Sequence, residues 1–220
     1  MILDVIKSGN FLPLLYLLPI VVISLTVHEL CHGLASYKLG DDTAKQQGRL
    51  SLNPLKHIDP VGFLAMLLMG FGWAKPVRVD LRNLKKPKRD FALTAVAGPF
   101  SNLILAFVFA IVYVILFYSG LWGTWGSDAM YYAVIVNIGL AVFNMLPFPP
   151  LDGSRLVAAF LPDRYYIQFL RLERYGMLVV LALLYIGVLD GFLNAAVTGI
   201  FDLFISIAEA PIRAIWQAVF

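Results

Sequence analysis

The sequence predicts an all-α polytopic membrane protein. It has three core transmembrane helices, one or two further helices towards the C-terminus, and a small membrane-associated β element around residues 73–81. Three observations predict this. The 220 residues are 60% hydrophobic and only 14% charged, against about 45–50% and 25% in an average soluble domain. A soluble fold of this size cannot bury so much apolar surface. Several apolar runs reach the roughly 20 residues that a helix needs to cross a bilayer. Finally, the basic residues are confined: of seventeen lysines and arginines, eleven lie in 38–90 and four in 151–174.

The elements follow in chain order. Residues 11–39, FLPLLYLLPIVVISLTVHELCHGLASYKL, form the first expected span. Pro13 and Pro19 fall in its early turns, where proline is tolerated or introduces a kink, and Gly40 offers a C-cap. The run is too long for a removed signal-peptide core, so it is expected to stay as an anchor. A polar loop follows, with turn signals at Asn53-Pro54 and Asp59-Pro60. The apolar stretch 61–73 has about 13 residues, too few to cross a bilayer, and is expected to be re-entrant or interfacial. Residues 77–81 alternate apolar and polar, which suggests a short strand, and Pro76 confines it to an edge.

The second span is expected at 91–118, after the basic run NLKKPKRD, and the third at 130–150. A fourth runs from about 175 to 189. Residues 192–220 are apolar but carry Asp202, Glu209, Pro211 and Arg213; they predict a fifth span, an interfacial helix, or both in succession. With no internal repeat and no long polar segment, residues 1–220 read as one membrane-embedded domain, with a core at about 11–160 and C-terminal helices at about 175–220.

Loops rich in lysine and arginine stay in the cytoplasm. Residues 38–90 and 151–174 are therefore expected inside and the N-terminus outside. The loop SGLWGTWGSD, 119–128, has no basic residue and carries Trp122 and Trp125 for the outer interface. The expected location is the cell membrane, multi-pass. Cys31 is the sole cysteine, so no internal disulfide is available. The basic residues lie between apolar runs, which argues against nucleic acid as a partner.

His28 and His32 sit inside the first span, four residues apart, so their imidazoles project from one helix face. That spacing suits one zinc ion, and Glu29 beside the first histidine suits a general base for water. The competing explanation is a buried polar cluster satisfied by neighbouring helices, but ionisable residues at membrane depth are usually functional. A zinc site needs a third protein ligand. The histidines lie about 25–30 Å along a helix entering from outside, and Asp152, just after the third span, has a similar expected depth. Pro147, Pro149 and Pro150 break the helix there. The alternative role for Asp152 is to cap a helix beginning near Ser154. His57 is a candidate donor to a developing oxyanion, or a structural histidine.

These motifs resemble those of the site-2 protease family of intramembrane zinc metalloproteases. HELCH matches its H-E-x-x-H. Asn144, Pro147, Pro149, Leu151, Asp152 and Gly153 match its N-x-x-P-x-P-x-L-D-G, and AGPFSN (97–102) resembles the glycine-proline-asparagine segment of its middle core helix. The resemblance covers about residues 11–160. It implies one zinc per chain on His28, His32 and Asp152, Glu29 as base, and Asn144 as a residue holding the substrate or its reacting carbonyl. GWAKPVRV resembles the membrane-associated strand thought to pair with extended substrate, which adds Trp73, Val77 and Val79 to the candidate substrate-binding residues. The PDZ and nucleotide-sensing domains of many members have no counterpart here, so the chain resembles the compact bacterial or archaeal type.

The expectation is an intramembrane zinc endopeptidase, a hydrolase that cuts a transmembrane protein or peptide in the bilayer near the cytoplasmic face. The rival expectation is a non-enzymatic zinc transporter or metal-binding membrane protein. Glu29 separates them, because transport has no special need of a base next to the first ligand. Oligomeric state and substrate identity leave no mark in the sequence.

Overall fold

The computed structural model describes residues 12–69, 72–120, 124–171 and 173–219. Phe11, at the start of the first expected span, and Trp122 of the outer loop lie outside the described residues. The expected first span is helix α1, Leu12–Leu39. Ser24 and Thr26 return their hydroxyls to the carbonyls of Ile20 and Val22, so these polar side chains are satisfied within the apolar helix. Gly40 ends α1 at φ 113°, a left-handed conformation that glycine adopts without strain.

Buried Asp41 then organises the loop region. It accepts from the Thr43 N–H and hydroxyl, the Asp80 N–H and the Asn83 amide. This ties the exit of α1 and the short helix α2 (Thr43–Gln46) to the turn at Leu81–Asn83. The expected re-entrant element is helix α3, Pro60–Met69. Its ten residues rise about 15 Å, half the hydrocarbon thickness. A β-carbon on Gly62 would lie 2.2 Å from the Trp73 carbonyl oxygen, so only glycine lets the returning chain lie this close.

The expected strand at 73–81 is corrected. The segment has no ladder, only an isolated antiparallel bridge between Ile58 and Ala74, with the Lys75 N–H on the His57 carbonyl. The reason lies in where its donors go. Pro76 has none, the Val77 N–H goes to Glu29, and the Asp80 N–H goes to Asp41. Carboxylates take the donors that a neighbouring strand would need.

Helix α4, Pro87–Ser119, is the centre of the bundle. Its buried face is built from small residues, including Ala92, Ala95, Gly98, Ala106 and Ala110, which let neighbouring backbones approach. Helix α5 spans Thr124–Asn144, starting and stopping earlier than expected, because 145–151 (MLPFPPL) turns away at its prolines. Three short helices follow: α6 (Asp152–Ala159), α7 (Asp163–Arg171) and α8 (Glu173–Ile186). The fourteen residues of α8 rise about 21 Å, short of a full crossing. It packs through Val180, Leu183 and Leu184 on Leu146, Phe148 and Leu151.

The C-terminal expectation resolves into one helix, α9, Asp190–Val219. Val197, Ile200, Phe201 and Phe204 pack on Ala106 and Ala110 of α4 and on Val134 and Ile138 of α5. Phe107 packs edge-on against Phe204, and further along both helices the Tyr118 hydroxyl donates to Glu209 at 2.6 Å, so α9 runs parallel to α4 and both start on one side. Lys88 binds Asp163 at 2.5 Å, which puts α7 on that side too. Among the described residues four helices, α1, α4, α5 and α9, are long and apolar enough to cross a membrane; the chain is an all-α multi-pass membrane protein.

Candidate metal centre

His28 and His32 are one turn apart on α1, with their ring planes at 86° and centroids 4.6 Å apart. Their Nε2 atoms are 3.0 Å apart. Asp152 Oδ2 lies 3.2 Å from each. All three residues are buried. Asp152 opens α6 straight after the proline turn, with its other oxygen 3.6 Å from Arg155 Nη1. Gly153 permits this placement: a β-carbon there would lie 2.1 Å from the Met145 carbonyl oxygen. The loop therefore doubles back at the end of α5 and presents the carboxylate to α1.

The remaining imidazole nitrogens decide what these groups need. His32 Nδ1 donates to the Thr94 carbonyl at 2.7 Å, and His28 Nδ1 meets Asn102 Oδ1 at 2.5 Å. With their N–H groups so used, both Nε2 atoms are left as lone pairs. Two such lone pairs and a carboxylate oxygen converging within 3.2 Å repel unless a cation stands between them. Zinc fits. Tetrahedral ligands at about 2.0–2.1 Å from zinc lie about 3.3 Å apart, a few tenths beyond the distances here. The donor set of two imidazoles and one carboxylate is that of a catalytic site, with one position left open. Gly98 of α4 keeps the space clear, because a β-carbon there would lie 2.4 Å from His32 Nε2 and 2.7 Å from His28 Nε2.

Glu29, also buried, turns to the extended segment: its Oε2 accepts the Val77 N–H at 2.8 Å. Buried Arg49 holds that segment by donating to the carbonyls of Lys75 and Lys56. The segment's proximity to the candidate base therefore depends on side chains, not on a sheet.

The other sequence candidates are placed differently. Val77 reaches the site through its backbone. Val79 is half-buried further along. Trp73 lines an apolar crevice with Val22, Thr26, His57, Phe63 and Ala74. Asn144 is the last residue of α5 and its amide donates to the Leu140 carbonyl at 2.9 Å. His57 is outside the metal cluster found among the described residues. Its Nε2 bonds the Ser51 carbonyl, its own carbonyl accepts the Lys75 N–H, and its buried Nδ1 meets no hydrogen-bond partner among the described residues. Sequence reasoning quoted Gly98 and Asn102 only as part of the AGPFSN resemblance, without these roles; it passed over Thr94, the second imidazole partner, Asn137, which holds Asn102, and the part Arg49 plays. The two asparagines carried a signal, as amides in the middle of apolar helices. Arg49 carried none.

Comparison with known proteins agrees with this geometry. The profile of peptidase family M50 matches residues 122–187. YwhC of Bacillus subtilis (strain 168), whose name is that of a zinc metalloprotease, is 44% identical over 174 residues, covering 76% of this chain and 79% of its own. Rip2 of Mycolicibacterium smegmatis, similarly named, is 26% identical over 214 residues, 90% of this chain and 80% of its own. MJ0611 of Methanocaldococcus jannaschii, also so named, is 28% identical over 159 residues, 67% and 73%. No solved structure matches.

Proposed function

Because the chain belongs to peptidase family M50 and is a zinc metalloprotease of the membrane, we propose that it cuts a transmembrane segment of a membrane-protein substrate, at the cytoplasmic side of the cell membrane. The observation that carries this reading is the convergence of His28, His32 and Asp152 inside the helix bundle, with Glu29 on the next residue of α1. The family sets aside the transporter alternative.

His28, His32 and Asp152 would hold the ion. Zinc, when bound, supplies Lewis acidity to the scissile carbonyl and to water. Glu29 takes the proton of the attacking water and delivers it to the departing amide nitrogen. The substrate helix unwinds first, because a helical amide is already hydrogen-bonded to its own chain. The extended segment at residues 72–80, held by Arg49 beside Glu29, offers backbone groups to the unwound strand. The cytoplasmic assignment rests on fifteen of the seventeen basic residues falling in 38–90 and 151–174.

The test is co-expression with candidate single-span proteins, comparing the wild type with Glu29→Gln by mass spectrometry of membrane peptides. Internal cleavage products that depend on Glu29 support the reading. If products arise only outside apolar spans, the enzyme is a protease of a different substrate class.

A further inference from the structure

A line of three side chains leads from α5 through α4 to the metal centre. Asn137 Nδ2 donates to the Ala133 carbonyl at 2.8 Å. Asn137 Oδ1 accepts from Asn102 Nδ2 at 2.9 Å. The same nitrogen meets the Ser24 carbonyl at 3.3 Å, and Asn102 Oδ1 meets His28 Nδ1 at 2.5 Å. Both asparagines have no exposed surface.

The direction of this line is forced from one end. A backbone carbonyl only accepts, so the Ala133 oxygen requires the nitrogen of Asn137. The oxygen of Asn137 must then face Asn102, which must answer with its nitrogen. The oxygen of Asn102 is left for His28, and His28 must donate from Nδ1. Its Nε2 is thereby kept free of hydrogen and turned to the metal. His32 reaches the same state more simply, against the Thr94 carbonyl. A reversed Asn102 amide would present N–H to His28 Nδ1 and move the imidazole hydrogen to Nε2, where it blocks the ion.

We propose that Asn137, which touches neither metal nor substrate, is a positioning residue for the metal centre: as the nearer of the two acceptors of the Asn102 amide, at 2.9 Å against 3.3 Å for the Ser24 carbonyl, it holds the direction of that amide and through it the hydrogen of His28. The proposal rests on His28 being a zinc ligand.

The experiment measures zinc affinity of the purified full chain by chelator competition, and the visible spectrum of the cobalt(II)-loaded protein. Asn137→Leu and Asn137→Ala should each weaken zinc binding about tenfold or more and alter the cobalt spectrum. Ile138→Ala, on the next residue of α5 and equally buried, should lower thermal stability but leave both readouts unchanged. Asn102→Asp offers His28 acceptor oxygens on both sides, so no reversal is possible. In that background Asn137→Leu should no longer weaken zinc. The proposal is overturned if Asn137→Leu binds zinc like the wild type, if Ile138→Ala weakens it equally, or if the loss persists with Asn102→Asp. His28→Ala keeps the two ideas apart: undiminished zinc there would remove the ligand assignment itself.

Discussion

The backbone N–H of Val77 donates to Glu29 Oε2 at 2.8 Å, joining residues 48 apart in sequence. The residue beside the first candidate ligand is thus held by the segment expected to meet substrate. A carboxylate with one oxygen fixed keeps a single orientation and retains the other oxygen for the proton transfer proposed for it.

Val77→Pro removes this donor, at a position where the preceding residue is already proline. Cleavage of a transmembrane substrate should fall about tenfold, which corresponds to about 1.4 kcal/mol, while zinc content stays normal. Arg78→Pro, on an exposed neighbour, should fall far less. Equal rates for Val77→Pro and the wild type would show that the contact is dispensable.

Asp152→Ala, His28→Ala and His32→Ala should each empty the site, which otherwise holds one zinc per chain. Elemental analysis of the purified variants decides this. Full occupancy in Asp152→Ala would strike the aspartate from the ligand set.

Gly98→Ala places a methyl group 2.4 Å from His32 Nε2. The imidazoles must move aside, and zinc binding should weaken by more than about tenfold, with the chain still inserted in the membrane. Gly139→Ala, where a β-carbon meets nothing within 4 Å, is the companion that should bind zinc normally. Comparable affinity in the two variants would mean that α4 yields more easily than its packing suggests.

Arg49→Met leaves the Lys56 and Lys75 carbonyls without their donor, at a cost of about 1–3 kcal/mol for each group left unpaired. Hydrogen exchange at Lys75 and Val77 should quicken and cleavage should drop, with zinc retained. Unchanged exchange at Val77 would assign the hold on the segment to Asp41 instead.

Asp41 lies in the loop outside the spanning helices. Burial raises its pKa, but the hydrogen bonds from Asn83, Thr43 and the Asp80 N–H together outweigh this and leave it below the ordinary 3.8. A depressed folded-state value means that the stabilisation is complete above pH 3.8 and fades as pH falls through the folded value. Asp41→Asn should therefore lower the thermal midpoint at neutral pH, and the gap to wild type should narrow in acid below 3.8. A gap independent of pH would show that the Asp41 charge contributes nothing.

The parts legible in the sequence were those with local or repeated signals. Apolar length marked α1, α4 and α5, and a four-residue spacing put His28 and His32 on one face. Asp152 was nominated because prolines break the chain at an expected depth like that of the histidines, and the fold brings its carboxylate within 3.2 Å of both imidazoles. The β element was misread because alternation at 77–81 says nothing about which partner takes each N–H, and the partners are Glu29 and Asp41. The Asn137–Asn102 line was missed because it depends on which helices pack together, and the two roles left open for His57 look alike in sequence, because a loop histidine reads the same whether it faces substrate or holds its own turn.

The separation of His28 and Asp152, 124 residues, has a consequence during synthesis. At about 5–20 residues per second, the ribosome needs about 6–25 s to pass from the histidines to the aspartate. For that interval the growing chain carries a two-nitrogen half-site in the bilayer. The three-ligand set is complete only when the proline turn has packed α6 on α4 and brought Asp152 to His28 and His32. If the enzyme cuts transmembrane segments as proposed, the nascent chain is spared from cutting its own emerging helices, or those of its neighbours at the translocon, until its core is complete.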